Sequence, residues 1–224
     1  MKKISTLAAL TFVLLLSYTG FDVKAMENNE ENIPEIIDGK TMSIQEVDEL
    51  LNSSTDHTIE LTDQQVAEQY ALKKDVSIEK AYQEMSDYSV SGKPTMFASP
   101  SESCSWLATN TAITIPGKSG YKPNLIVYTE ICRGGAQYIN TNKKPLLQEF
   151  QANPISFAGT IKVELFNGHF YYIINGNFYN STSTSHSGTT GITSIFSATY
   201  TVGTTSNYYA SLTTPRTKRD VLGY

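Results

Sequence analysis

Charge is scarce in this 224-residue chain: 17% of its residues are Asp, Glu, Lys or Arg, and the formal net charge is −5. That balance gives no global electrostatic reason for a nucleic-acid partner. Cysteine is scarcer still. Two residues are too few for a disulfide-dense scaffold or a four-cysteine zinc site. No apolar run reaches the roughly 20 residues that span a membrane as a helix. The sequence has no H-E-x-x-H, no G-x-S-x-G, no P-loop and no dinucleotide fingerprint. Its three histidines, His57, His169 and His186, lie far apart without metal-ligand spacing, so neither a metal nor a cofactor is expected. The 40% apolar share is enough for a core, and the length suits one or two domains.

Residues 1–25 read as a secretory signal. Lys2 and Lys3 precede an apolar stretch from Leu7 to Leu16, and Val23-Lys24-Ala25 offers a small residue at the exit. Cleavage is expected after Ala25, which makes the protein secreted and extracellular; the short Lys-Lys start suits a bacterial chain. In an oxidising space the simplest reading of Cys104 and Cys132 is one disulfide.

The charge is divided unevenly. Residues 26–98 carry 16 acidic and 5 basic side chains, whereas residues 99–224 carry 5 acidic and 9 basic ones. Between them runs a Ser/Gly/Pro stretch, Ser89 to Pro100, suited to a linker. The expected organisation is a signal (1–25), an acidic, partly helical pro-segment or spacer (26–98) and a β-rich domain (99–224). Ser43 with Glu46 and Thr62 with Gln65 have capping-box spacing. Ser77 opens a third helix with Ile78, Ala81, Tyr82 and Met85 along one stripe. Helices this short need each other, or another surface, to be stable.

The basic half reads as strands. Asn167-Gly168 suits a two-residue type I′ turn. Pairing outward from it sets Leu165 opposite Phe170, Val163 opposite Tyr172 and Ile161 opposite Ile174, with Lys162 and Glu164 on the other side. A slip of one residue would expose the whole apolar set. A second turn is expected at Asn175-Gly176, folding 177–180 back into a three-stranded meander. Strand composition also marks Trp106 to Ile115, Leu125 to Cys132, Ile192 to Val202, and a stretch through Tyr208, Ala210 and Leu212. The Ser/Thr/Gly run from Asn180 to Gly191 reads as a surface loop. Mainly β, as an antiparallel sandwich or a small open barrel, is the fold class this supports.

Ten of the 14 tyrosines follow residue 98. Tyrosine offers a flat apolar face and a hydroxyl, which suits sugars, peptides and interfaces. Tyr171, Phe178, His169, Tyr208 and Tyr209 are the candidate binding residues, against a plainer reading in which aromatics fill and flank a core. No catalytic residue stands out, because His169, Glu164 and a serine form a triad only on paper. The cationic run Pro215 to Arg219 is expected as a frayed terminus, or else as a contact for an anionic polymer or lipid headgroups.

Three function classes remain. The first is a non-catalytic secreted module that binds an envelope polymer, a glycan or a protein partner, with release from an acidic pro-segment as an option. In the second, a toxin or antimicrobial uses 192–202 in a membrane hairpin. A small secreted hydrolase is the third.

Overall fold

Both expected capping boxes close their helices. In α1 (Ile44–Leu51) the Ser43 hydroxyl accepts the Glu46 amide at 3.3 Å, and the Glu46 carboxylate accepts the Ser43 amide at 2.7 Å. Thr62 and Gln65 repeat the pattern for α2 (Asp63–Lys74) at 3.2 and 2.9 Å. Ser77 precedes α3 (Ile78–Asp87), which buries Ala81 and Met85 and leaves Ile78 and Tyr82 exposed at the rim. The structure, a computed structural model, describes residues 35–222 apart from 88–102, 135, 142–147, 153, 181–183, 193 and 204–206; at 86–87, 148–149, 151 and 184–192 only the backbone is described. The signal segment, Ala25 and the linker stretch from Ser89 to Pro100 lie outside these residues.

The acidic segment also holds two strands that its helical signals concealed. They are β1 (Ile36–Asp38) and β2 (His57–Leu61). All five residues of β2 are buried, so its sequence carries no apolar–polar alternation to read. It lies between β1, in parallel, and β3 (Ser103–Ala112), antiparallel. The sheet continues through β4 (Asn124–Gly134) to β5 (Ala136–Ile139), and β6 (Gln148–Gln151) pairs with β4 as well. The expected disulfide joins Cys104 and Cys132, directly opposite on β3 and β4.

The three helices cover one face of this first sheet. Val47, Leu51, Val66, Tyr70, Ala81 and Met85 pack with Trp106, Ala108, Ile126 and Tyr128 in one apolar cluster. Trp106 Nε1 donates to Asp63 Oδ1 at 2.9 Å, which satisfies a buried donor across that contact. The outside surface that these short helices needed is therefore the sheet itself.

The other face shares a core with a second sheet. Its strands are β7 (Ser156–Leu165), β8 (His169–Tyr179), β9 (Thr184–Ile192), β10 (Ile195–Val202), β11 (Tyr208–Thr213) and β12 (Thr217–Asp220). The order is β11-β8-β7-β10-β9, with β12 also on β8. Leu107, Leu125 and Val127 of the first sheet meet Ile161, Phe170 and Phe196 of the second in one cluster. The fold is mainly β and sandwich-like, with helices on the far side of one sheet and neither sheet closed into a barrel among the described residues. Arg219 on β12 ties the sheets at one end, with Nη1 3.0 Å from Asp56 Oδ2 and Nη2 donating to the Asn110 carbonyl at 3.4 Å.

The hairpin register is the expected one: Leu165, Val163 and Ile161 face Phe170, Tyr172 and Ile174, and all six are buried. Its turn is not type I′, since Gly168 alone has a positive φ, 110°, and Asn167 does not. The second turn is absent, because β8 runs unbroken through Asn175-Gly176. Gly176 instead sits opposite Gly159 on β7. A Cβ would meet the Phe157 ring at 2.6 Å from Gly176 and at 2.8 Å from Gly159. This glycine pair makes room for an aromatic ring in the core.

The unbroken strand moves Phe178. It falls on the same face as Phe170, Tyr172 and Ile174 and is fully buried, 5.1 Å from the Phe157 ring centroid and 6.0 Å from that of Phe150. Phe178 is a core residue, not a surface contact. The Ser/Thr/Gly run is also corrected, since 184–192 is strand β9, paired with β10 through Tyr200↔His186 and its neighbours. Its backbone bonds, not apolar side chains, define it. The cationic tail is not frayed: Thr217–Asp220 pairs with β8, while Val221 and Leu222 are buried and donate to the Gly168 carbonyl. Finally, β11 pairs with β8.

Candidate functional site

The inner face of the second sheet is core, while its outer face carries exposed side chains from β7, β8, β10, β11 and β12. On β8 the outward series is His169, Tyr171, Ile173, Asn175, Asn177 and Tyr179, each alternating with a core-facing neighbour. Cross-strand register sets Ile195, Glu164, Tyr171 and Lys218 in one row over four strands.

At the hairpin end this face carries an ordered group of rings and charges. The Phe166 and His169 rings stack, with centroids 5.2 Å apart and planes 4° from parallel. Tyr171 stands edge-on to both, 5.3 Å from each at 86° and 84°. The Arg216 guanidinium lies 3.4 Å from the Tyr171 ring centroid and 5.4 Å from that of Phe166. Glu164 fixes two cations, with Lys162 Nζ on Oε1 at 2.6 Å and Arg216 Nε on Oε2 at 2.8 Å. Lys218 pairs with Asp220 at 2.6 Å.

The electrostatics follow from these contacts. The hydrogen bond from Lys162, followed by that from Arg216, holds the Glu164 carboxyl below its ordinary pKa. Partial burial, then the charges of Lys218 and Arg216, lowers the His169 pKa against the opposing pull of Asp220. The His169 ring stacks on Phe166, and the Glu164 carboxylate beside it is engaged by two cations.

Of the candidates read from the sequence, His169 and Tyr171 come together in this group. Tyr208 lies at the far end of the same face, 59% exposed, with its ring 6.3 Å from that of Tyr179. Tyr209 points the other way, half-buried against Tyr121 (5.7 Å) under Lys118 Nζ (4.3 Å). Phe178 belongs to the core. Phe166, Lys162 and Glu164 join His169 and Tyr171 from outside the expected binding set, and Arg216 comes from the cationic run Pro215 to Arg219, here set against rings rather than against an anionic ligand. The signal for Arg216 was hidden, because only strand β12 brings the tail against Tyr171.

Two other groupings carry less chemistry. Ligand atoms of Cys104, Glu130 and Cys132 lie within 4.8 Å of one another. The sulfurs are joined to each other, however, and the carboxylate accepts from Asn140 Nδ2 at 2.6 Å. A recess of about 350 Å³ on α1 is lined by Met42, Glu46, Glu49 and Leu50, and Glu46 there is already engaged with Ser43. No protein-family model, curated protein or solved structure matches the chain.

Proposed function

We propose that this is a secreted, non-catalytic β-domain protein that binds a cell-envelope polymer, a glycan or a protein partner with the outer face of its second sheet. One observation carries the reading: the Phe166, His169, Tyr171 and Arg216 group is locked by stacking and ion pairs, yet stands at an open face. Aromatic rings and arginines dominate binding energetics where they are preorganised, since little side-chain entropy is then lost on contact. Retention of the protein on isolated cell-envelope material tests this. Tyr171→Ala with Arg216→Ala should release it, and retention at wild-type levels would defeat the proposal.

The acidic segment was expected as a pro-segment or spacer, and we place it with the folded body. Removing it would strip β2 from β3, uncover Trp106 and Tyr128, and leave Arg133 and Arg219 without Glu60 and Asp56. Mass analysis of culture-supernatant protein checks this. The expected result is a stable species starting near residue 26 and nothing shorter; a fragment starting near residue 99 would restore release.

A membrane-acting toxin is the second reading, and one observation favours it: 184–192 pairs with β10 as a hairpin, although its sequence lacks the apolar alternation of 192–202. Dye release from liposomes separates the two, and the binding reading expects none.

A further inference from the structure

We propose that the outer face of the second sheet takes an extended, uncharged polysaccharide chain lying along β8. This rests on the reading of that face as the binding surface and names the ligand class.

The layout of the face supports a long, linear ligand. Rings stand at both ends of β8, Phe166 and Tyr171 at one and Tyr179 with Tyr208 at the other. From Tyr171 to Tyr179 the strand rises about 27 Å, the reach of several sugar rings. Between them a row of hydroxyls and an amide, Thr199, Thr160, Asn175 and Thr213, crosses β10, β7, β8 and β11. All four of these residues are exposed, and the Thr213 hydroxyl donates to Asn175 Oδ1 at 3.0 Å. Amide and hydroxyl side chains both donate and accept. So do the hydroxyls of a sugar, whose C–H faces suit aromatic platforms.

Charge gives a polyanion little advantage. The cations of the ring group are already engaged within the face: Lys162 and Arg216 share Glu164, and Lys218 pairs with Asp220, so three cations meet two carboxylates. An anionic chain would meet Glu164 and Asp220 as like charges, whereas a neutral chain would not. An extended peptide gains most of its affinity by adding to a sheet edge. The backbone groups of β7, β8 and β10 are already bonded to neighbours on both sides.

The test is depletion of the mature protein onto microcrystalline cellulose, chitin, and peptidoglycan sacculi with and without their phosphate polymers. Each is measured at low salt and at about 0.5 M salt, where exposed charges are screened beyond a few ångströms. The expected result is retention on at least one uncharged polysaccharide, changing less than about twofold with salt. Phe166→Ala and Tyr208→Ala, both at exposed positions, should each weaken it about tenfold, a loss of about 1.4 kcal/mol, with unchanged melting temperature. Retention only where phosphate polymer is present, falling about tenfold or more with salt, would overturn the proposal in favour of a polyanion. If both variants lose whole-envelope retention while no uncharged polysaccharide holds the wild type, the ligand class is wrong and the binding face stands. If both variants keep whole-envelope retention, the face and the ligand class fall together.

Discussion

Replacing Phe178 by alanine separates a core strand from a surface turn. Phe178 is fully buried between Phe157 and Phe150, with Tyr121 edge-on at 6.1 Å. Truncation of a buried phenylalanine costs about 3–5 kcal/mol, from lost transfer energy plus the cavity left behind. The cost falls at the upper part of that range because the neighbours are themselves rings, Phe157 among them fitted against the Gly159–Gly176 pair, so they collapse poorly into the space. For a domain of this length each kcal/mol lowers the melting point by about 2–4 °C, so a cost of about 4–5 kcal/mol gives a fall of about 8–20 °C for Phe178→Ala. Far-ultraviolet circular dichroism of the disulfide-intact protein measures it, with Tyr171→Ala as the surface comparison. A Phe178→Ala melting point within about 2 °C of wild type would mean that β8 turns at Asn175-Gly176 after all.

Three further outcomes follow from the same packing. Gly176→Ala should cost about 1–3 kcal/mol by overpacking against the Ala158 carbonyl and the Phe157 ring, read as a lower urea midpoint with an unchanged slope; a neutral result would remove the glycine pair from the argument. Burial alone would raise the Glu60 carboxyl pKa, but hydrogen bonds from Arg133, Ser105 and Lys40 outweigh it and hold it at about 2. Its contribution is therefore complete above the unfolded value near 4.5 and is lost as pH falls toward 2. Urea melts from pH 6 to pH 2 should show a loss on the order of 1–3 kcal/mol that Glu60→Gln abolishes; an equal loss in the variant would assign it to other carboxylates. Reduction of Cys104–Cys132, 28 residues apart, should lower stability by about 3.5 kcal/mol on the loop-entropy model, and a melting point that ignores reductant would show the bridge to be idle.

Some of this molecule was legible because the signals were local. Capping boxes depend on two residues three apart, and both formed as read. The β7–β8 register followed from six apolar residues that must share a face. The cysteine pair had one partner each. Other features misled because the same letters serve two purposes. Asn-Gly makes a turn at 167–168, but at 175–176 its glycine clears space for a ring on a neighbouring strand. Parity along β8 depends on which of these holds, so a misplaced turn put Phe178 on the wrong face. Strands β2 and β9 were hidden for opposite reasons: one is buried on both faces, and the other is almost devoid of apolar residues.

The candidate site shows the same division. His169 and Tyr171 were readable as outward neighbours of a hairpin. Arg216 was not, because it reaches the Tyr171 ring only after β12 pairs with β8 from 45 residues away along the chain. From the amino-acid order alone came the helix starts, the hairpin face, the bridge and the uneven spread of charge, each set by interactions over a few residues or by bulk composition. Tertiary structure alone decided that the acidic segment contributes two strands to the first sheet, and that the cationic tail sets Arg216 against the Tyr171 and Phe166 rings. Those outcomes depend on which strand edges remain free once the local pieces have formed, and free edges are paired by whatever distant segment can satisfy their backbone hydrogen bonds.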